Sequence, residues 1–194
     1  MIPRGTIRKV QDYYFTHEEY SAEIMRAMKE FFDSSELENY KQIEMDRFDE
    51  ILFNEWFMYD FMFSDGKSVL QKFFDENPLG IPNYRREIYR DLQENYFGLY
   101  EIIENFPLQG FALRSLDGGK VFNVSEFSAT MYVEVGDIII GRVGKVGDHY
   151  ELVGCDLPVF QARIEKDSVK KLEKMKIIFP KLNDLTPKDI RHKF

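Results

Sequence analysis

The stretch from Phe97 to Phe160 constrains the fold most, because short apolar runs alternate there with glycine turns. Runs of β-branched and aromatic residues bounded by turn residues are typical of β-strands. The Asp117-Gly118 pair also suits the backbone of a tight hairpin. The predicted strands cover 97–103, 110–116, 120–124, 131–135, 136–143 and 149–154. This many short strands in so little chain predict a small closed barrel.

Helical patterns flank this region. Thr16 and Glu19 have the spacing of a capping box, which predicts a helix over 16–32. A second capping signal begins at Ser35, and the helix that it predicts continues to about residue 58. That second helix is apolar nearly all round, which is typical of a buried helix. Shorter helices are predicted over 67–74, 84–95 and 167–177, and after Thr186.

These patterns predict an α+β protein. An N-terminal helical part (1–95) is expected to pack against a small SH3/OB-like antiparallel β-barrel (96–160). A basic helical tail (161–194) follows. No flexible linker or repeat separates the three, so we expect one compact unit whose shared core contains Trp56.

The net charge of −8 hides an asymmetry between the body and the tail. Residues 161–194 carry ten Lys and Arg against five Asp and Glu, whereas residues 1–160 carry sixteen against twenty-nine. An acidic body disfavours broad contact with nucleic-acid phosphates. We expect the basic tail to dock on this body, and contact with nucleic acid or an acidic partner is the alternative.

The chain has one cysteine, Cys155, so it predicts neither an internal disulfide nor a multi-cysteine zinc site. No apolar run approaches the roughly 18 residues that a membrane-spanning helix needs. The first residues lack the apolar segment of a secretory signal. These features predict a cytoplasmic protein that does not bind membranes.

The most unusual side chain is Glu55, a carboxylate on an apolar helix face. Such a group either has a raised pKa and acts as an acid or base, or is paired structurally. We expect the structural role, with an arginine, a tyrosine hydroxyl or a backbone N–H as the partner. Asp60 lies about 140° from Glu55 on an ideal helix. The two carboxylates therefore need another element before they can act together.

No set of residues predicts catalysis, a metal site or a cofactor. His17, His149 and His192 are not at ligand spacing from one another. No Gly-x-Ser-x-Gly elbow occurs. The glycines over 141–147 lack the Gly-Lys-Ser/Thr of a phosphate loop and do not open a helix. We therefore predict no catalytic, metal or cofactor-binding residue.

The prediction is a non-enzymatic binding or adaptor protein whose partner is a protein. The first alternative is nucleic-acid binding by the barrel face and basic tail, since barrels of this kind stack bases on exposed aromatics. Phe111 and Phe122 suit that face and suit the core equally well. The second alternative is a carboxylate-dependent hydrolase. The candidate binding residues are Glu55, Trp56, Tyr59, Asp60, Phe111, Arg114 and Arg142.

The strings 53–60, Asp65-Gly66, 97–101 and 135–142 resemble a group of uncharacterised bacterial proteins. In that group an F-x-E-W-F-x-x-D helix precedes a β region, and some members end in a SEC-C zinc motif. The resemblance spans roughly residues 48–160 and implies the helix-then-strand architecture. This chain lacks the cysteine and histidine cluster of the SEC-C motif. The resemblance therefore implies no zinc site and no known activity.

Overall fold

A computed structural model describes residues 2–3, 5–34, 45–154, 159–160, 168–179 and 184–191. Within these ranges the chain forms a mixed α+β fold with seven helices and six strands. None of these helices is both long and apolar enough to span a bilayer. The helices are α1 (Thr6–Thr16), α2 (Ser21–Phe31), α3 (Arg47–Tyr59), α4 (Val69–Glu76), α5 (Asn83–Asp91), α6 (Ser168–Ile178) and α7 (Pro187–Ile190). The strands are β1 (Asn95–Phe106), β2 (Gly110–Ser115), β3 (Val121–Ser125), β4 (Ile138–Val146), β5 (His149–Leu152) and β6 (Val159–Phe160).

The prediction of a capping box at Thr16 is wrong. Thr16 is the last residue of α1, and its hydroxyl donates to the carbonyl oxygen of Asp12, one turn back, at 2.6 Å. Because Thr16 belongs to α1, it lacks the non-helical backbone that an N-cap residue needs. The sequence pattern therefore missed α1 and merged the following 3₁₀ turn with α2.

The central helix α3 is confirmed as a buried element, with seven of its thirteen residues buried. Its start at Arg47 is fixed by Asp46, whose carboxylate accepts the backbone N–H of Asp49 at 2.8 Å. Such an N-cap satisfies an N–H that the helix itself cannot pair. The predicted helix start at Ser35 lies outside the described residues.

The strands pair in the order β1-β2-β3-β5-β4-β6, and β4 also pairs with β1. Every pair is antiparallel except β3 with β5, which run parallel. The prediction of an antiparallel sheet is therefore wrong at this one pair. Parallel neighbours need a long crossover connection. Here the chain between β3 and β5 includes the whole of β4, so it returns in the same direction.

The predicted strand over 131–135 is also wrong. A 3₁₀ turn at Ala129–Met131 occupies its start. Side chains bind the backbone that follows: Asn105 donates to the carbonyl of Val133 at 2.9 Å, and Asp137 accepts the N–H of Glu134 at 2.8 Å. Backbone groups satisfied by side chains do not need a strand ladder.

Two apolar clusters lie on opposite faces of β1 and β4. Leu99, Ile138 and Ile140 pack with the helices. Tyr100 and Ile139 point the other way and join a second apolar cluster formed mainly by residues of β1 to β4. Side chains alternate along a strand, so these two strands must be apolar on both faces. The consecutive isoleucines of β4 meet that requirement.

The end of the basic tail docks on the helical part, which confirms this expectation for α7. The ammonium group of Lys188 lies 2.6 Å from a carboxylate oxygen of Asp33. The guanidinium of Arg191, just beyond α7, lies 3.0 Å from a carboxylate oxygen of Asp49 and stacks on the ring of Phe32. Part of the tail's positive charge is thus used within the chain.

Gly110 offers a sharp test of the β2–β3 pairing. It has φ +150°, and a Cβ there would lie 2.0 Å from the carbonyl oxygen of Val124. We expect Gly110→Ala to lower the free energy of unfolding by about 1–3 kcal/mol or more, since the strands must separate to admit the methyl group. The urea unfolding midpoint measures this loss. The matched control is Gly118→Ala, where a Cβ meets no atom within 4 Å, and equal losses would contradict the described pairing.

Candidate functional site

Arg142 lies at the seam between the helical part and the sheet. It shares a face of β4 with Ile138 and Ile140, because residues two apart on a strand point the same way. That face packs against the helices, so the guanidinium enters the seam with a side-chain exposure of only 2%. A charge this deeply buried requires partners of opposite charge.

Both acidic residues singled out from the sequence supply these partners. The Nε of Arg142 donates to Glu55 Oε1 at 3.3 Å. Its Nη1 and Nη2 donate to the two carboxylate oxygens of Asp60 at 3.2 and 2.5 Å. Nη1 also donates to Asn95 Oδ1 at 2.5 Å. We call Arg142, Glu55, Asp60 and Asn95 the arginine cluster.

Two aromatic rings complete the surroundings of the guanidinium. Its carbon lies 4.6 Å from the ring centre of Tyr59 and 5.2 Å from that of Phe97. Phe97 is the residue paired with Arg142 across β1 and β4, so the strand register places it there. Aromatic faces attract cations at such distances, most strongly where water is excluded.

Electrostatics favour a charged arginine. Burial alone would lower the pKa of Arg142, but Asp60 and Glu55 outweigh burial and raise it. Burial raises the pKa of Asp60 above its usual range, and the guanidinium only partly opposes this. The ionised Asp60 therefore depends on Arg142 for its counter-charge.

Glu55 is thus paired with an arginine, one of the partners expected from the sequence. Arg142 is also the extra element that the 140° separation of Glu55 and Asp60 demands. Because one guanidinium binds both carboxylates, the pair is organised around a fixed cation. Among the described residues, no three His, Cys, Asp or Glu side chains group closely enough to hold a metal ion.

A cleft of about 350 Å³ borders the cluster between α1, α3 and the end of β5. Its polar lining comes from Gln11, Asn54 and Glu55. Gly154 closes tightly on Glu55, since a Cβ at this position would lie 2.6 Å from Oε1. Tyr59 ties the same region to the sheet by donating to the carbonyl of Val153 at 3.1 Å. These contacts hold α3 against the chain that follows β5.

The remaining candidate binding residues are dispersed. Trp56 lies in the core of the helical part, in contact with Phe31 and Phe61. Phe111 and Phe122 are buried inside the sheet cluster, as the core alternative required. Arg114 lies on the outer surface and pairs with Glu101 at 2.5 Å. The structure thus brings together Glu55, Tyr59, Asp60 and Arg142 but not the other three.

A second candidate site lies at the end of the sheet where β1 turns into β2. Six large apolar side chains are exposed there, at the end of β1, on the β1–β2 turn and on the segment between β3 and β4. We call them the tip surface: Phe106, Leu108, Phe127, Met131, Tyr132 and Val135.

Hydrogen bonds hold the two segments of the tip surface side by side. Thr130 Oγ1 accepts the backbone N–H of Leu108 at 3.0 Å. Asn105 donates to the carbonyl oxygens of Thr130 and Val133 at 3.0 and 2.9 Å. The N–H of Glu126 points at the carbonyl of Gln109 at 3.4 Å. The apolar side chains are therefore displayed on an ordered backbone.

The tip surface exposes three aromatic side chains. Its aromatic residues Phe106, Phe127 and Tyr132 are 48%, 55% and 82% exposed. At about 200 Å² for each ring residue, they alone expose on the order of 350 Å². Exposed apolar areas of this order on a monomer are often functional. The sequence did not indicate this surface, because residues 131–135 have the pattern of a strand.

Comparison of the chain with known protein families, with curated proteins and with solved structures gives no match. The resemblance to the bacterial F-x-E-W-F-x-x-D group therefore stays a prediction. The structure itself therefore describes the class of protein: an α+β fold with the buried arginine cluster between helices and sheet, and the exposed tip surface at one end of the sheet.

Replacing Arg142 tests whether the arginine cluster is structural. We expect Arg142→Met to lower the free energy of unfolding by about 3–5 kcal/mol, because two carboxylates lose their buried cation. The matched control is Lys145→Met on the same strand, which removes an ion pair with Glu94 whose side chains are both 40% exposed and should cost about 1 kcal/mol or less. Urea unfolding followed by tryptophan fluorescence measures both, and similar losses would contradict the structural role.

The pH dependence of the Arg142→Met loss has a definite sign. Because the folded pKa of Asp60 lies above its ordinary value of 3.8, Asp60 contributes stability that is complete below that value. This contribution is lost as the pH rises through the folded pKa. Removing Arg142 raises the folded pKa further, so the variant should lose less stability near pH 4.5 than near pH 7.5. Urea unfolding at both pH values checks this, and an equal loss at both would contradict it.

Proposed function

We propose that this chain is a non-enzymatic binding or adaptor protein that docks a protein partner on its tip surface. The observation that carries the proposal is the exposure of six large apolar side chains on a hydrogen-bonded backbone. Exposed Tyr and Phe are common anchors in protein interfaces, because each ring buries much area with few rotatable bonds. An ordered support lowers the entropy that binding would otherwise cost.

We further infer that the strands form a small closed barrel of the OB-like kind. Support comes from the pairings β1-β2-β3-β5-β4, with β4 returning to pair with β1. A sheet whose last strand pairs with its first has no free edge along that circuit. The tip surface would then be one rim of the barrel, and the arginine cluster would fasten its wall to the helices.

The alternatives have less support. The aromatic side chains proposed for base stacking, Phe111 and Phe122, are each 2% exposed. The exposed residues of β3 are Val121, Asn123 and Ser125, which offer neither a ring nor a positive charge. A hydrolase using Glu55 and Asp60 would first have to free both carboxylates from Arg142.

A photocrosslinking amino acid at position 132 tests the proposal, and the same amino acid at position 84 is the control. Tyr84 is a good match, because it is 75% exposed against 82% for Tyr132 and lies on α5. We expect a protein crosslinked from position 132 in the source cells and not from position 84. Failure to crosslink any protein from position 132 would contradict the proposal.

The affinity between the purified chain and the crosslinked protein is the second test. We expect Tyr132→Ser to weaken binding about tenfold or more, as removal of an interface anchor does, and Tyr84→Ser to leave it unchanged. Isothermal titration calorimetry measures both. Fluorescence anisotropy with a single-stranded RNA oligonucleotide at low salt should show no binding. Affinity for RNA, or equal effects of the two variants, would contradict the proposal.

A further inference from the structure

The charge around the tip surface indicates what kind of partner fits it. The two segments that build the tip, 102–112 and 122–139, contain Glu104, Glu126, Glu134 and Asp137 and no Lys, Arg or His. Both segments therefore carry negative charge only, and because Asp137 is buried, the three glutamates supply that charge at the surface. The nearest basic residue on β2 is Arg114, four residues beyond Gly110, or about 13 Å along the strand.

The acidic residues lie beside the apolar ones. Glu104 and Phe106 are two residues apart on β1, so their exposed side chains leave the same face of the strand. Glu126 precedes Phe127 and accepts the backbone N–H groups of Ser128 and Ala129 at 2.8 and 3.0 Å. The exposed Glu134 lies between Val133 and Val135. The tip surface is thus an apolar patch with acidic side chains interspersed and at its margin.

We propose that the partner presents a basic segment with apolar anchors, such as an amphipathic helix rich in Lys or Arg. This inference rests on the proposed docking function and specifies its partner. An apolar patch supplies affinity to any apolar segment, whereas charges at its rim select the partner and speed encounter. The −13 formal charge of residues 1–160 extends that selection beyond the tip, because it attracts cations and repels acidic segments.

Model peptides test the charge preference directly. The probe is a fluorescein-labelled amphipathic helix of Leu and Lys, and its counterpart has the same length and pattern with Glu in place of Lys. We expect the Lys peptide to bind about tenfold tighter or more at low salt, and its advantage to shrink as added salt screens the charges. Fluorescence anisotropy gives both affinities.

Two variants separate patch from charge. Tyr132→Ser removes an apolar anchor, and Tyr84→Ser is its control. The double variant Glu104→Gln with Glu126→Gln removes two charges and keeps the acceptor oxygen that Glu126 uses. Its control is Glu18→Gln with Glu19→Gln, which removes two exposed charges from the helical part. We expect Tyr132→Ser and the Glu104→Gln, Glu126→Gln double variant each to weaken binding of the Lys peptide several-fold. Their two controls should leave its affinity unchanged.

The outcomes are distinguishable. If Tyr132→Ser weakens the two peptides equally and neither is preferred, the tip still docks proteins and the inference of a basic partner is wrong. If Tyr132→Ser affects neither peptide, the docking function itself fails with it. Sedimentation of the chain alone adds one further outcome. A dimer that Tyr132→Ser dissociates would make a second copy the occupant and overturn the separate basic partner.

Discussion

The burial of one arginine between two carboxylates is the interaction on which the rest of the structure depends. Arg142 reaches from β4 to Glu55 within α3 and to Asp60 just beyond the end of that helix. Each of the three charges would be costly to bury alone. Together they fix the angle and distance at which the helices meet the sheet, and the rings of Tyr59 and Phe97 lie beside the guanidinium.

This fixed seam explains how one chain can bury both faces of β1 and β4. Apolar packing alone tolerates small shifts between a helix and a sheet, because hydrophobic contact has no preferred direction. The hydrogen bonds of a guanidinium do have directions. The arginine cluster therefore supplies register to a contact that Leu99, Ile138 and Ile140 make strong but not specific. At the opposite end of the sheet, the six apolar side chains of the tip surface remain exposed.

Much of this arrangement follows from the sequence, and the failures have physical reasons. The strand runs, the hairpin at Asp117-Gly118 and the burial of the Trp56 helix follow from local patterns of side-chain polarity. The pairing of Glu55 follows from the cost of burying a carboxylate. The identity of its partner does not, because Arg142 is 87 residues away and only the fold brings it near. Glu55 and Asp60 are unusual in the sequence itself, whereas no local pattern marks Arg142, rather than another basic residue, as their common partner.

The tip surface was hidden from the sequence for a different reason. The residues over 131–135 have the composition of a strand, and a strand there would have buried half of them. Asn105 and Asp137 instead bind the backbone of this segment and release it from the sheet. Hydrogen bonds from side chains to the backbone of a loop override the local preference for a strand. These hydrogen bonds therefore prevent residues 131–135 from forming the predicted strand and leave their apolar side chains at the tip surface.

We propose that the seam is structural and that the tip surface binds the partner. Chemical-shift mapping by NMR during titration with the Leu and Lys peptide tests both halves at once. The account predicts shifts in the amides of 104–112 and 126–136 and none in the Nε–H of Arg142. Shifts at Arg142, Tyr59 and Gly154 with a silent tip would contradict it and place the binding site in the seam.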